Sequence, residues 1–146
     1  MKLSILFGAL FLSASPALAD DFVYLKCNGT IKSIVWDWNK TKELNHWDSN
    51  TEILYKIDTK HKVLFVSSEP EIANQYEIQY PGFIGWTEQI KDGRMSGENV
   101  MYLQYEPPGK VDGGMYHSDS LRRLKYSGLM WGSCEASDAS AYEASQ

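Results

Sequence analysis

Two cysteines, Cys27 and Cys134, stand 107 residues apart, one near each end of the chain. The residues before them decide what they do. Met1-Lys2 gives a short positive start, Leu3 to Leu12 is almost wholly apolar, and Pro16-Ala17-Leu18-Ala19 carries the small-x-small pattern at which an export signal is cleaved. Reading residues 1–19 as a cleaved signal peptide places the mature chain in the periplasm or outside the cell, where thiol pairs oxidise. Two cysteines allow a single intramolecular pairing, so a disulfide between Cys27 and Cys134 is predicted. Closing a loop of about 100 residues stabilises a fold by roughly 4–5 kcal/mol in the chain-entropy treatment. The pair lacks the C-x-x-C spacing of a redox motif and reads as a staple. The fold must therefore bring the two ends of the mature chain side by side.

Removing 19 of the 146 residues leaves 127, enough for one domain with a real core. Residues 20–135 read as a single β domain and residues 136–146 as a flexible polar tail, too poor in apolar side chains to order itself. The whole chain has 14 Lys+Arg against 19 Asp+Glu, a net charge of −5, and the leader removes one further lysine. An acidic surface argues against nucleic acid and anionic membranes as partners, and leaves cationic proteins open. The one long apolar run is the leader's own core, and no cysteine follows the cleavage point to carry a lipid. A monomer without a membrane anchor is expected.

Short β-rich runs recur between turn residues. Phe22 to Leu25 reads as a first strand, with a turn at Asn28-Gly29. In Thr30 to Trp38 the even positions Ile34, Trp36 and Trp38 form the apolar parity, which predicts Trp36 and Trp38 facing the core. Ile53, Tyr55 and Ile57 alternate likewise, and residues 52–67 read as a hairpin. Tyr76, Ile78 and Tyr80 form a third inward set before Pro81-Gly82. Further strands are read at Phe83 to Ile90, Asn99 to Tyr105 and Leu129 to Cys134, with Asp92-Gly93 as a hairpin turn. Glu106 to Ser120, with Pro107-Pro108-Gly109 and Asp112-Gly113-Gly114, reads as the most flexible loop. Leu121 to Tyr126 fits a strand or one helical turn, and no other segment suggests a helix. The expected class is all-β, an antiparallel barrel or sandwich of about eight strands with its terminal strands joined by the disulfide.

The combination of Cys27-Asn28-Gly29 early, Tyr55-Lys56-Ile57-Asp58, Arg123 to Gly128, and a closing Gly132-Ser133-Cys134 resembles the small secreted or periplasmic bacterial β-proteins. Their layout is that of lipocalin-like and lysozyme-inhibitor barrels. For the inhibitors, the resemblance implies a Ser-Gly-x-x-Tyr loop as the working element, which points to Ser96, Gly97 and Tyr102. Tyr102 stands two positions beyond the place that pattern requires, and no second, lysine-bearing loop matches.

Chemical motifs are sparse. His46-Trp47-Asp48 and His117-Ser118-Asp119 each place an imidazole and a carboxylate on one side of an extended backbone, a geometry that suits divalent metals. Both triplets fall in segments read as loops, where such groups are ordinarily solvated, so no metal and no cofactor is assigned. No G-x-S-x-G elbow, phosphate loop or other catalytic signature is present, and no catalytic residue is assigned. The aromatic side chains, including five tryptophans and nine tyrosines, read first as filling for a small barrel and second as ligand contacts at its mouth. The sequence therefore predicts a non-enzymatic binding protein for a protein or a small ligand, with Tyr116, His117 and Asp119 of the 106–120 loop as contacts. An inhibitor of a cationic enzyme such as lysozyme is the first alternative, and a small hydrolase or metal-dependent enzyme the second.

Overall fold

The computed structural model describes residues 21–146, so the leader read in residues 1–19 lies outside the described part. Nine antiparallel strands form one sheet that curls into a nearly closed barrel. They are β1 (Phe22–Asp37), β2 (Glu43–Asp58), β3 (Val63–Val66), β4 (Glu69–Gln75), β5 (Glu77–Tyr80), β6 (Phe83–Asp92), β7 (Met95–Tyr105), β8 (Pro108–Asp119) and β9 (Leu124–Ala136). Their order across the sheet is β4-β3-β2-β1-β9-β8-β7-β6-β5, so the first and last long strands are neighbours. Cys27 stands directly opposite Cys134 in that pairing, and the two are bonded.

Two glycine signals turn out to be demands of packing rather than turns. Asn28-Gly29 lies inside the 16-residue β1, where Gly29 pairs with Gly132 of β9. A Cβ on Gly29 would stand 2.9 Å from the Trp131 carbonyl oxygen, and one on Gly132 would stand 2.7 Å from the Cα of Gly29. Side chains are excluded on both strands, beside the disulfide that ties them. Likewise, residues 108–119 are not a flexible loop but the strand β8, paired on both sides. Gly113 is covered there by the Met101 side chain and the Val100 carbonyl, the latter 2.6 Å from where a Cβ would be.

The actual turns are set by aspartates at strand ends. Asp58 Oδ1 accepts the backbone N–H groups of Lys60 and His61 at 3.0 and 2.8 Å. Asp119 Oδ1 does the same for Leu121 and Arg122, both at 3.0 Å. Each turn then closes through a basic residue in the left-handed region, Lys62 at φ 55° and Arg123 at φ 53°. A carboxylate that satisfies two turn N–H groups can itself be buried, as Asp58 and Asp119 are.

The core occupies the end of the barrel where β3, β4 and β5 complete the wall. Leu25, Tyr55, Ile57, Leu64, Ile84, Leu103 and Val111 are fully buried there, and Trp86 meets Tyr55 edge-on at 5.8 Å. Burying each such aliphatic side chain contributes about 1.5–3 kcal/mol. Ile53, Tyr55 and Ile57 face this core as their alternation predicts.

Two other predicted inward sets do not. In β1 the buried parity is Leu25, Cys27 and Val35, so Trp36 lies on the opposite face, where its Nε1 donates to Ser127 Oγ at 2.8 Å. Trp38 follows the strand's end and lies beneath the Lys125 ammonium, 5.4 Å from the ring centre. The tryptophans outweighed smaller residues in the sequence pattern, yet the inner face at this level has no packed core to receive them. Tyr76 is buried, with its hydroxyl donating to the Asp58 carbonyl, but Ile78 and Tyr80 are 52% and 58% exposed. They sit on β5, an edge strand of four residues with wall on one side only.

The tail also differs from expectation. Asp138 caps a short helix, α1 (Ala139–Ala144), and Tyr142 of that helix is buried, its ring 6.1 Å from that of Tyr24. One aromatic anchor and one cap order a segment whose composition reads as disordered.

Candidate binding groove

The barrel is complete at one end only. β3 pairs with Tyr55–Asp58 of β2, which leaves the outer edge of Glu43–Ile53 without a ladder partner. β5 pairs with Phe83–Gly85 of β6, which leaves Thr87–Asp92 equally open. Six strands, β2-β1-β9-β8-β7-β6, thus continue beyond the core as a trough with two free edges.

The register sets what lines the trough. Next to the core, one inward row runs Ser49, Ile31, Met130, Gly113, Met101, Trp86. The next row runs Trp47, Ser33, Gly128, Met115, Asn99, Glu88, and the one beyond it Asn45, Val35, Tyr126, His117, Gly97, Ile90. The small residues at the middle of these rows leave a cavity of about 210 Å³ bordered by Ser33, Ile34, Trp47, Met95, Met115, His117 and Tyr126, with Ser127 and Gly128 at its base.

His117 is the imidazole of this cavity, and its tautomer is defined by a chain of hydrogen bonds. Asn99 Nδ2 donates to Glu88 Oε2 at 3.0 Å, which turns Asn99 Oδ1 toward His117 Nε2 at 2.9 Å. Because an amide oxygen only accepts, Nε2 must carry the proton, and the neutral ring then has its lone pair on Nδ1. Burial holds His117 below the usual histidine value, opposed by the nearby Glu88 carboxylate, so the ring is neutral at pH 7. The Cδ2 edge lies against β7, 2.7 Å from where a Cβ on Gly97 would be. The Nδ1 edge therefore faces away from β7, and no group among the described residues bonds to it.

The sequence-predicted residues are dispersed by strand alternation. Tyr116 points outward, 47% exposed, with the Lys40 ammonium 5.6 Å from its ring. His117 points into the trough, and the Asp119 carboxylate, 1% exposed, is engaged by its own turn, with Arg94 and Arg122 at 3.9 Å. Ser96, Gly97 and Tyr102 belong to the strand β7 rather than to a loop. Ser96 Oγ lies 3.1 Å from Ser118 Oγ, Gly97 lies beneath His117, and Tyr102 faces outward against Phe83 at 6.3 Å. Of the two His-x-Asp triplets, His46 pairs with Glu43 at 2.6 Å while its neighbour Trp47 turns into the trough. Among the described residues no group of three His, Cys, Asp or Glu side chains is placed to hold a metal ion.

Met95, Met115, Asn99 and Glu88 were not among the sequence candidates, and Trp47 was one only as a member of the aromatic set. The alternation Gly113, Met115, His117 carried the signal, and it became readable only once residues 108–119 were known to be a strand.

No protein-family model matches the chain, and no curated protein matches it either. Its chemistry rests on its own geometry. Among the described residues, no helix is long and apolar enough to cross a membrane.

Proposed function

We propose that the protein is an exported binding protein whose ligand sits in the open half of the barrel, against His117. One observation carries this reading: a neutral imidazole with a fixed tautomer and an unpartnered Nδ1 faces a cavity walled by Trp47, Met115 and Tyr126. With its Nε2 side engaged by Asn99, the ring presents to the cavity an acceptor that solvent or a ligand donor can reach. The cavity, at about 210 Å³, is smaller than the roughly 300–1,000 Å³ of drug-sized sites, so the occupant is small. The bonded Cys27–Cys134 pair and the leader-like start of the chain support export.

Indole is a suitable probe, since it is small, apolar and offers one N–H donor to Nδ1. In a titration followed by side-chain NMR, saturable shifts are expected at His117, Trp47 and Met115, with the core residues Leu103 and Ile57 unmoved. Shifts spread evenly over the surface, or none at His117, would refute the site.

A further inference from the structure

We propose that the groove holds a soft monovalent cation, copper(I) or silver(I), ligated by Nδ1 of His117 and the thioethers of Met115 and Met95, with the Trp47 indole laid over it. This rests on the groove being the binding site and names the class of ligand it takes.

The placement of the donors leads to it. Met115 leans over Gly128, its methyl carbon 2.6 Å from where a Cβ on Gly128 would stand. The Nδ1 edge of His117, turned away from β7, faces the same side of β8. Trp47 lies in register with Met115 across only Ser33 and Gly128, and Met95 borders the same cavity from β7. Met101 and Met130, by contrast, are buried in the core and already packed. Among the described residues, the two thioethers outside the packed core are thus those that share a cavity with the His117 Nδ1.

The chemistry of the set selects the ion. The two thioethers are soft donors that select copper(I), imidazole also suits copper, and the cavity border contains no carboxylate, which magnesium or calcium would require. An aromatic face beside a cation adds attraction without a formal bond. His117 is also prepared as a ligand: its other nitrogen donates to Asn99, itself held by Glu88, the outer arrangement that fixes the orientation of metal-bound histidines. Both cysteines are bonded to each other, so thioethers are the sulfur ligands available in an oxidising compartment.

The test uses the disulfide-intact mature chain and silver nitrate in chloride-free buffer, with calorimetry and methionine-methyl NMR in parallel. One silver ion per chain is expected, shifting the Met95 and Met115 methyls and His117 Nδ1 while leaving Met101 and Met130 in place. Met115→Leu, which nearly conserves volume, and Met95→Leu should each weaken binding roughly tenfold or more. Copper(I), supplied in competition with bicinchoninate, should show the same ranking. Binding that survives both leucine variants, or shifts confined to His46, His61 or the core methionines, would overturn the proposal. If indole shifts His117 and silver does not, the groove stands and the cation falls. If neither shifts it, the groove falls as well.

Discussion

The same strands build both halves of this barrel, and they do different work along their length. In the closed half, β1 and β2 present Leu25, Cys27, Tyr55 and Ile57 to a core sealed by β3, β4 and β5. A few residues further along, the same two strands present Ser33 and a half-exposed Trp47 to an open trough. Both regions are extended strand, with one register irregularity, between Val35 and Trp36, in the open half. The difference is the number of strands available to close the wall, and with it the volume that side chains must fill. Stability is therefore concentrated at one end, which frees the other to keep a gap, an unpaired nitrogen and two open edges.

The largest test of that division is the disulfide, which ties β1 to β9 beside the core. Replacing both Cys27 and Cys134 with alanine should cost about 4 kcal/mol or somewhat less, read from urea unfolding. A loss close to zero would mean that the paired glycines and the core hold the terminal strands without it. Next, Leu103→Ala in the closed half should cost about 2–5 kcal/mol, whereas Met115→Ala, which enlarges a cavity already present, should cost about 1 kcal/mol or less. Equal losses would erase the distinction between the halves.

Gly97→Ala probes the floor under His117. Its Cβ would strike the Tyr116 carbonyl and stand 2.7 Å from the His117 Cα, so β7 and β8 must separate. A cost of about 1–3 kcal/mol is expected, with a larger shift of the His117 ring signals than of any core methyl. The reverse pattern would place the strain elsewhere.

Much of this organisation was legible in the chain. The cysteine pair, the alternation of Ile53, Tyr55 and Ile57, and the all-β class follow from spacing alone. Glycine was the main source of error, because it serves both turns and close approach of strands. Asn28-Gly29 and Asp112-Gly113-Gly114 read as turns, yet Gly29, Gly113 and Gly132 are required by neighbours far away in sequence. The groove was less legible still. Its central row joins residues 33, 47, 88, 99, 115 and 128, a juxtaposition that exists only after six strands take their register. His117 was identifiable by type, but grouping it with Tyr116 ignored that neighbours on a strand face opposite ways.

The smallest effects are read by pH. Burial lowers the His117 pKa below the 6.5 of an unfolded histidine, so between those values the unfolded chain binds the extra proton. Stability contributed there is complete above pH 6.5 and declines as pH falls toward the folded value. Asp58 in the closed half is lowered below 3.8, chiefly by the His61 backbone N–H and then by the His61 side chain. Its contribution persists above pH 3.8 and is lost only as pH falls through its folded value. Stability followed downward from pH 8 should thus begin to fall near pH 6.5, and His117→Gln should remove that decline while leaving the one below pH 3.8, which Asp58 shares with Asp37 and Asp138.

The state of the His117 ring tests the open half most directly. A long-range proton–nitrogen NMR spectrum of the side chain at pH 7 should show Nε2 protonated and Nδ1 as a bare, pyridine-like nitrogen, with a single tautomer. A protonated Nδ1, an imidazolium, or averaging between tautomers would contradict the hydrogen-bond chain through Asn99 and Glu88, and with it the site built on that nitrogen.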